Sequence, residues 1–139
     1  MFMKEGFTIV DTISIPSEYA AVSKVETLVD KVCNDLGVQE DFYGNVLIAV
    51  TEAVNNAIQH GNLFNNDLEV CVSVGDKSEE FCFSVLDQGN GFDFNNLPDP
   101  TSPDNIEKEN GRGIFLMKSL ADDVEFDNEG RSVNIYFSK

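Results

Sequence analysis

Basic residues are scarce in this chain: 9 Lys+Arg stand against 25 Asp+Glu in 139 residues, a formal net charge of −16. A surface of that sign repels nucleic-acid phosphates and anionic lipid headgroups, so neither nucleic acid nor a membrane is expected as a direct partner. An anion must instead be held by local features: a divalent cation, helix N-termini, or the few cations, of which Lys108, Arg112 and Lys118 lie near one another in the sequence. Cysteine is scarce too. Cys33, Cys71 and Cys82 are odd in number, with neither C-x-x-C spacing nor a companion histidine cluster, so buried free thiols in a reducing compartment are expected. No apolar run approaches the roughly 18 residues of a membrane span, and Met1 to Gly6 lacks the apolar stretch of a leader; a soluble cytoplasmic protein is the expectation. The two commonest phosphate-binding motifs, G-x-x-x-x-G-K-[ST] and a complete G-x-G-x-x-G, are missing as well.

What is present suffices for one domain, 1–139, with a proper core: 42% of the residues are hydrophobic. Phe7, Ile9, Ile13 and Ile15 mostly alternate before Pro16, which reads as a half-buried strand followed by Ser17 as a helix cap. Helical spacing follows from Tyr19 to Val32, ending near Gly37, and a second helix runs over about 40–60 with Gly61 as its stop. Four later segments alternate as strands: Leu68/Val70/Val72/Val74, Phe81/Phe83/Val85, Val124/Phe126 and Val133/Ile135/Phe137. A third helix is expected over 114–121. These stripes are buried most simply in an α+β two-layer sandwich, a mixed, mostly antiparallel sheet with helices on one face and solvent or a partner on the other. Pro98, Pro100 and Pro103 break up the stretch 92–110, which reads as a long loop of the lid type between two glycine motifs.

Three short pieces carry the chemistry. At about 100° per residue, Glu52, Asn56 and His60 lie on one stripe of the second helix, opposite Val46, Val50, Ala53, Val54 and Ala57; by geometry alone the stripe is an ordinary solvated face. Asp87 continues the alternation of Phe81, Phe83 and Val85, on the face the helices should cover, where a carboxylate needs a partner. It is either a turn-forming residue ahead of Gly89 and Gly91 or an acceptor for an exocyclic amine such as that of adenine. Gly111-Arg112-Gly113, expected just ahead of the third helix, offers backbone N–H groups and a positive dipole end to an anion, though a glycine pair can also simply end a loop.

In this order and spacing the pieces resemble a known set. Glu52-x-x-x-Asn56-Ala57-x-x-His60-Gly61 resembles the N box, Asp87-x-Gly89-x-Gly91-Phe92 the first glycine box and Gly111-Arg112-Gly113-Ile114-x-Leu116 the second, of the ATPase superfamily shared by gyrase, histidine kinases and mismatch-repair proteins. The compact chain, with Leu120-Ala121-Asp122-Asp123-Val124 after the last box, looks most like the bacterial anti-sigma-factor serine kinases of sporulation and stress response. The resemblance implies ATP and Mg²⁺ as cofactors. By the same resemblance Asn56 would hold Mg²⁺, Glu52 would be the general base, Asp87 would take the adenine amino group with Gly89 and Gly91 shaping its pocket, and Gly111, Arg112 and Gly113 would cradle phosphates. His60 would have a supporting role. The implied partners are an anti-anti-sigma protein of the STAS type and a sigma factor, in a homodimer. Kinase-type members carry an arginine early in the first helix that contacts the sigma factor or its antagonist, and the nearest match here is Ala21. Two functions fit: a serine/threonine protein kinase of the anti-sigma type, or a non-catalytic, nucleotide-gated protein-binding regulator.

Overall fold

The computed structural model describes residues 3–89, 109–127 and 131–139, with the backbone alone at 109–111. Five strands, β1 (Thr8–Pro16), β2 (Glu69–Lys77), β3 (Glu80–Leu86), β4 (Asp123–Asp127) and β5 (Ser132–Ser138), form one sheet in the order β1-β2-β3-β5-β4. Every neighbouring pair is antiparallel. Three helices complete the described residues: α1 (Val22–Asp35), preceded by a tight turn at Tyr19–Ala21, α2 (Glu40–Asn56) and α3 (Glu109–Leu120).

The expected apolar stripes meet in one core between helices and sheet. Val25 and Val29 of α1 and Val46, Val50 and Val54 of α2 join Val70, Val72 and Val74 of β2 and Phe81, Phe83 and Val85 of β3, nearly all fully buried. At about 1.5–3 kcal/mol for each large apolar side chain removed from water, this layer supplies most of the driving force for the sandwich. It also fixes the positions of α2 and of the end of β3, the two elements that carry Glu52, Asn56 and Asp87.

Three local expectations need correcting. Ser17 does not cap a helix: its Oγ donates to the Leu68 carbonyl at 2.6 Å, because the chain leaving β1 passes directly beside the start of β2. The second helix does not run unchanged to His60; Ala57–Gly61 widen into a π-turn, so that the Asn62 N–H reaches back to the Ala57 carbonyl at 2.8 Å. Such wide turns inside helices are frequent at functional sites. The third helix starts at Glu109 rather than 114, which puts Gly111-Arg112-Gly113 within its first turns.

The back of the sheet, expected to face solvent or a partner, is partly covered by the chain's own residues 3–7. The Lys4 amide donates to the Tyr136 hydroxyl at 2.9 Å, the Phe7 and Tyr136 rings lie 5.4 Å apart, and Met3 lies so close to Gly75 that a Cβ there would collide with its sulfur. Tyr136 in turn donates to Glu125 at 2.6 Å. Cys82, under this cover, has its thiol pushed up to about 12 by burial, and Cys33 to about 11. Both are protonated and inert at neutral pH. All three cysteines are free. No helix among the described residues is long and apolar enough to cross a membrane.

Candidate nucleotide site

The stripe of α2 that carries Glu52 and Asn56 is not a solvated face. Helix α3 lies across it, and both side chains are half-buried. The contact is tight at Gly113, which is itself buried: a Cβ there would stand 2.8 Å from Glu52 Oε2 and 3.3 Å from Asn56 Nδ2. Only a residue without a side chain lets the α3 backbone come so close to a carboxylate and a carboxamide. Two motifs far apart in sequence are thus one physical cluster.

Asn56 Nδ2 is buried with no hydrogen-bond partner among the described residues, and His60 Nε2 and Ser132 Oγ are in the same state. A buried polar atom left unpaired costs about 1–3 kcal/mol, so such atoms gather where a ligand completes them. Asn56 also lines a cleft of about 300 Å³, including the part open to solvent, whose walls include Ala53, Val85, Asp87, Met117 and Arg131. The cleft is mostly apolar with a few polar groups on its walls, the ordinary composition of a small-molecule site.

Asp87 follows directly on β3 and is only 6% exposed, as the alternation predicted. Its amide donates to the Arg131 carbonyl at 2.8 Å, and its Oδ1 accepts the Gly89 N–H at 2.9 Å. Burial pushes the carboxyl above the ordinary range, while the Gly89 N–H and the charge of Arg131 pull it back. The carboxylate lies directly against Gly61, where any Cβ would overlap it; likewise a Cβ on Gly89 would run into the Gly61 carbonyl. The π-turn after α2 and the turn after β3 therefore interlock backbone to backbone, and both glycines are required by the approach itself.

Of the residues expected from sequence, Glu52, Asn56 and Gly113 meet at the α2–α3 contact; Asp87 lines the cleft together with Asn56, and Gly89 is hydrogen-bonded to Asp87. Gly111 and Arg112 lie in the first turn of α3, Arg112 exposed, where N–H groups have no partner within the helix. Gly91, Phe92 and nearly all of the expected lid, 92–110, fall outside the described residues; α3 already includes 109 and 110. Two residues that sequence reasoning missed are Arg131 and Ser132, brought onto the cleft by the pairing of β5 with β3. Ser132 appeared only as a polar-face residue of a strand, and no local pattern marks Arg131.

The model of the histidine kinase-like ATPase domain matches residues 15–137. The chain belongs to the histidine kinase-like ATPase family. Within that family it is 31% identical to the serine-protein kinase RsbW of Bacillus cereus strain Q1, over 94% of this chain and 85% of that one, and equally to RsbW of Bacillus anthracis. It is thereby a relative of proteins named as serine-protein kinases. A crystal structure of the RsbU and RsbW domains of a Mycobacterium tuberculosis protein has the same fold, with a TM-score of 0.59 and 13% identity over 93% of this chain. This chain spans 32% of that longer one.

Proposed function

We propose that this protein is an ATP-dependent serine/threonine protein kinase of the anti-sigma type, which transfers the γ-phosphoryl group of ATP to a small anti-anti-sigma partner. The observation that carries the reading is the α2–α3 contact, where a carboxylate, an under-satisfied carboxamide and the bare backbone of a helix's first turns adjoin one apolar cleft.

Asp87 accepts the exocyclic amine of the base; its burial makes an unpaired charge costly, which favours a ligand that donates there. Gly111 and Arg112 offer N–H groups and a positive helix end to the phosphates, as an acidic chain with few cations requires. A hydrated divalent cation would be held by the carboxamide oxygen of Asn56, a neutral hard donor of the kind such ions take. Mg²⁺ held there would neutralise charge building up on the transferred group. Glu52, one helical turn before Asn56 and close to the α3 backbone, accepts the proton of the attacking hydroxyl. Catalysis is then mostly positioning and electrostatics.

The test is phosphorylation of a purified anti-anti-sigma partner with MgATP, by the native chain and by Glu52→Ala. Loss of a general base lowers the rate about 10²–10⁴-fold while leaving nucleotide affinity nearly intact. An undiminished rate in Glu52→Ala would remove the base assignment. Nucleotide binding with no transfer to any partner, even by the native chain, would instead favour the nucleotide-gated regulator. The buried Ala21, where kinase-type relatives carry a docking arginine, is the feature that favours it.

A further inference from the structure

The loop between α2 and β2 contains a polar side chain that none of the motifs includes. Asn62 is 2% exposed, and both its amide nitrogen and its amide oxygen are hydrogen-bonded. Its Nδ2 donates to Ser17 Oγ at 2.9 Å and to the Glu69 carbonyl at 3.1 Å; its Oδ1 accepts the Gln88 N–H at 2.8 Å. The orientation of the amide follows from chemistry, since a main-chain N–H can only donate and a main-chain carbonyl can only accept. Ser17 passes its own proton to the Leu68 carbonyl at 2.6 Å, and the Gln88 side chain accepts the Glu69 N–H at 2.7 Å. A closed, partly buried network thus links the end of β1, the start of β2 and the turn after β3.

The link to Gln88 matters because of what flanks it. Three successive amides of that turn have one partner each: Asp87 N–H to Arg131, Gln88 N–H to Asn62, Gly89 N–H to Asp87 itself. The first is held from β5 and the third is internal to the turn. The Asn62 side chain anchors the turn to the loop that follows α2, where Gly61 abuts the Asp87 carboxylate. We propose that Asn62 is a positioning residue for base selection, whose carboxamide fixes the Asp87–Gly89 turn so that the Asp87 carboxylate meets the amino group of adenine. This rests on the reading of Asp87 as the base acceptor.

A merely structural asparagine would affect stability alone, so the measurement is preference: the ratio of ATP to GTP affinity, taken well below each protein's melting temperature. Asn62→Ala is expected to lower ATP affinity about 10-fold with little change for GTP, as when a site loses one aligned polar contact. Asn62→Asp keeps the acceptor for Gln88 but loses both donors and buries a charge. It is expected to be the less stable of the two yet to retain more of the preference. Ser17→Ala removes a partner of Asn62 without touching Gln88 and is expected to cost stability while keeping the ratio. The native chain supplies a readout independent of any variant: the Gln88 amide, on an exposed residue, is expected to exchange hydrogen slowly. A native ATP preference that Asn62→Ala preserves, or fast exchange at Gln88, would overturn this inference alone. A native chain without any ATP preference would overturn the reading of Asp87 and this inference with it.

Discussion

Replacing Asp87 by Asn should move stability and ligand response in different directions. In the free protein the carboxylate is almost wholly buried and its pKa is raised by that burial, so the folded state holds a charge at a cost. An amide of the same shape can still accept the Gly89 N–H, while the loss of attraction to Arg131 offsets part of the relief. The free variant is therefore expected to be as stable as the native chain or up to about 1 kcal/mol more stable, a rise of at most about 3–4 °C for a domain of this size. With MgATP at 100 times its dissociation constant, the native chain gains about 2.7 kcal/mol, or roughly 9 °C. A hydrogen bond to a charged acceptor is worth about 1.5–3 kcal/mol, so the variant binds about 10–150-fold more weakly and gains only about 0.3–1.4 kcal/mol at the same concentration. Melting curves with and without MgATP measure both effects. A variant that melts several degrees lower when free, yet keeps the full nucleotide shift, would show Asp87 to be a turn former only, and the reasoning would fail.

Gly113→Ala tests the α2–α3 contact: alanine in place of a helical glycine adds about 1 kcal/mol of helix preference, and the clash falls on the movable end of Glu52. Its melting temperature should hold or rise while phosphoryl transfer drops about 10-fold or more, because the carboxylate is displaced; normal transfer would mean that Glu52 and Gly113 do not work together. The raised pKa of Asp87 also has a signature in pH. The folded state binds that proton more tightly than the unfolded chain, so the stabilisation is complete below the ordinary carboxyl value and is lost as pH rises through the folded value. The stability difference between Asp87→Asn and the native chain should accordingly shift in the variant's favour across that window and stay flat above it, as denaturant unfolding at several pH values would reveal.

The sequence was sufficient for most of the elements and for singling out candidate residues. Period-two alternation marked β2, β3 and β5, period-3.6 spacing marked α1 and α2, and Asp87 was placed on the buried face by counting along one strand. Those signals are local: each depends on side chains within one element facing the same way. Glu52, Asn56, Asp87 and the glycines stood out because their types and spacing are unusual together.

Tertiary structure decided what touches what. Glu52 and Asn56 read by geometry as an ordinary solvated face until α3 was laid over them, since nothing in α2 records which helix will cover it. Ser17 has the composition of a cap, but its hydroxyl donates to the Leu68 carbonyl and accepts from Asn62 Nδ2 rather than from a helix N–H. Arg131 came to Asp87 through the β3–β5 register, and Asn62 to Gln88 through the loop that follows the π-turn. These are contacts between segments distant in the chain, set by the burial of the whole apolar layer at once. One-dimensional periodicity carries no term for them.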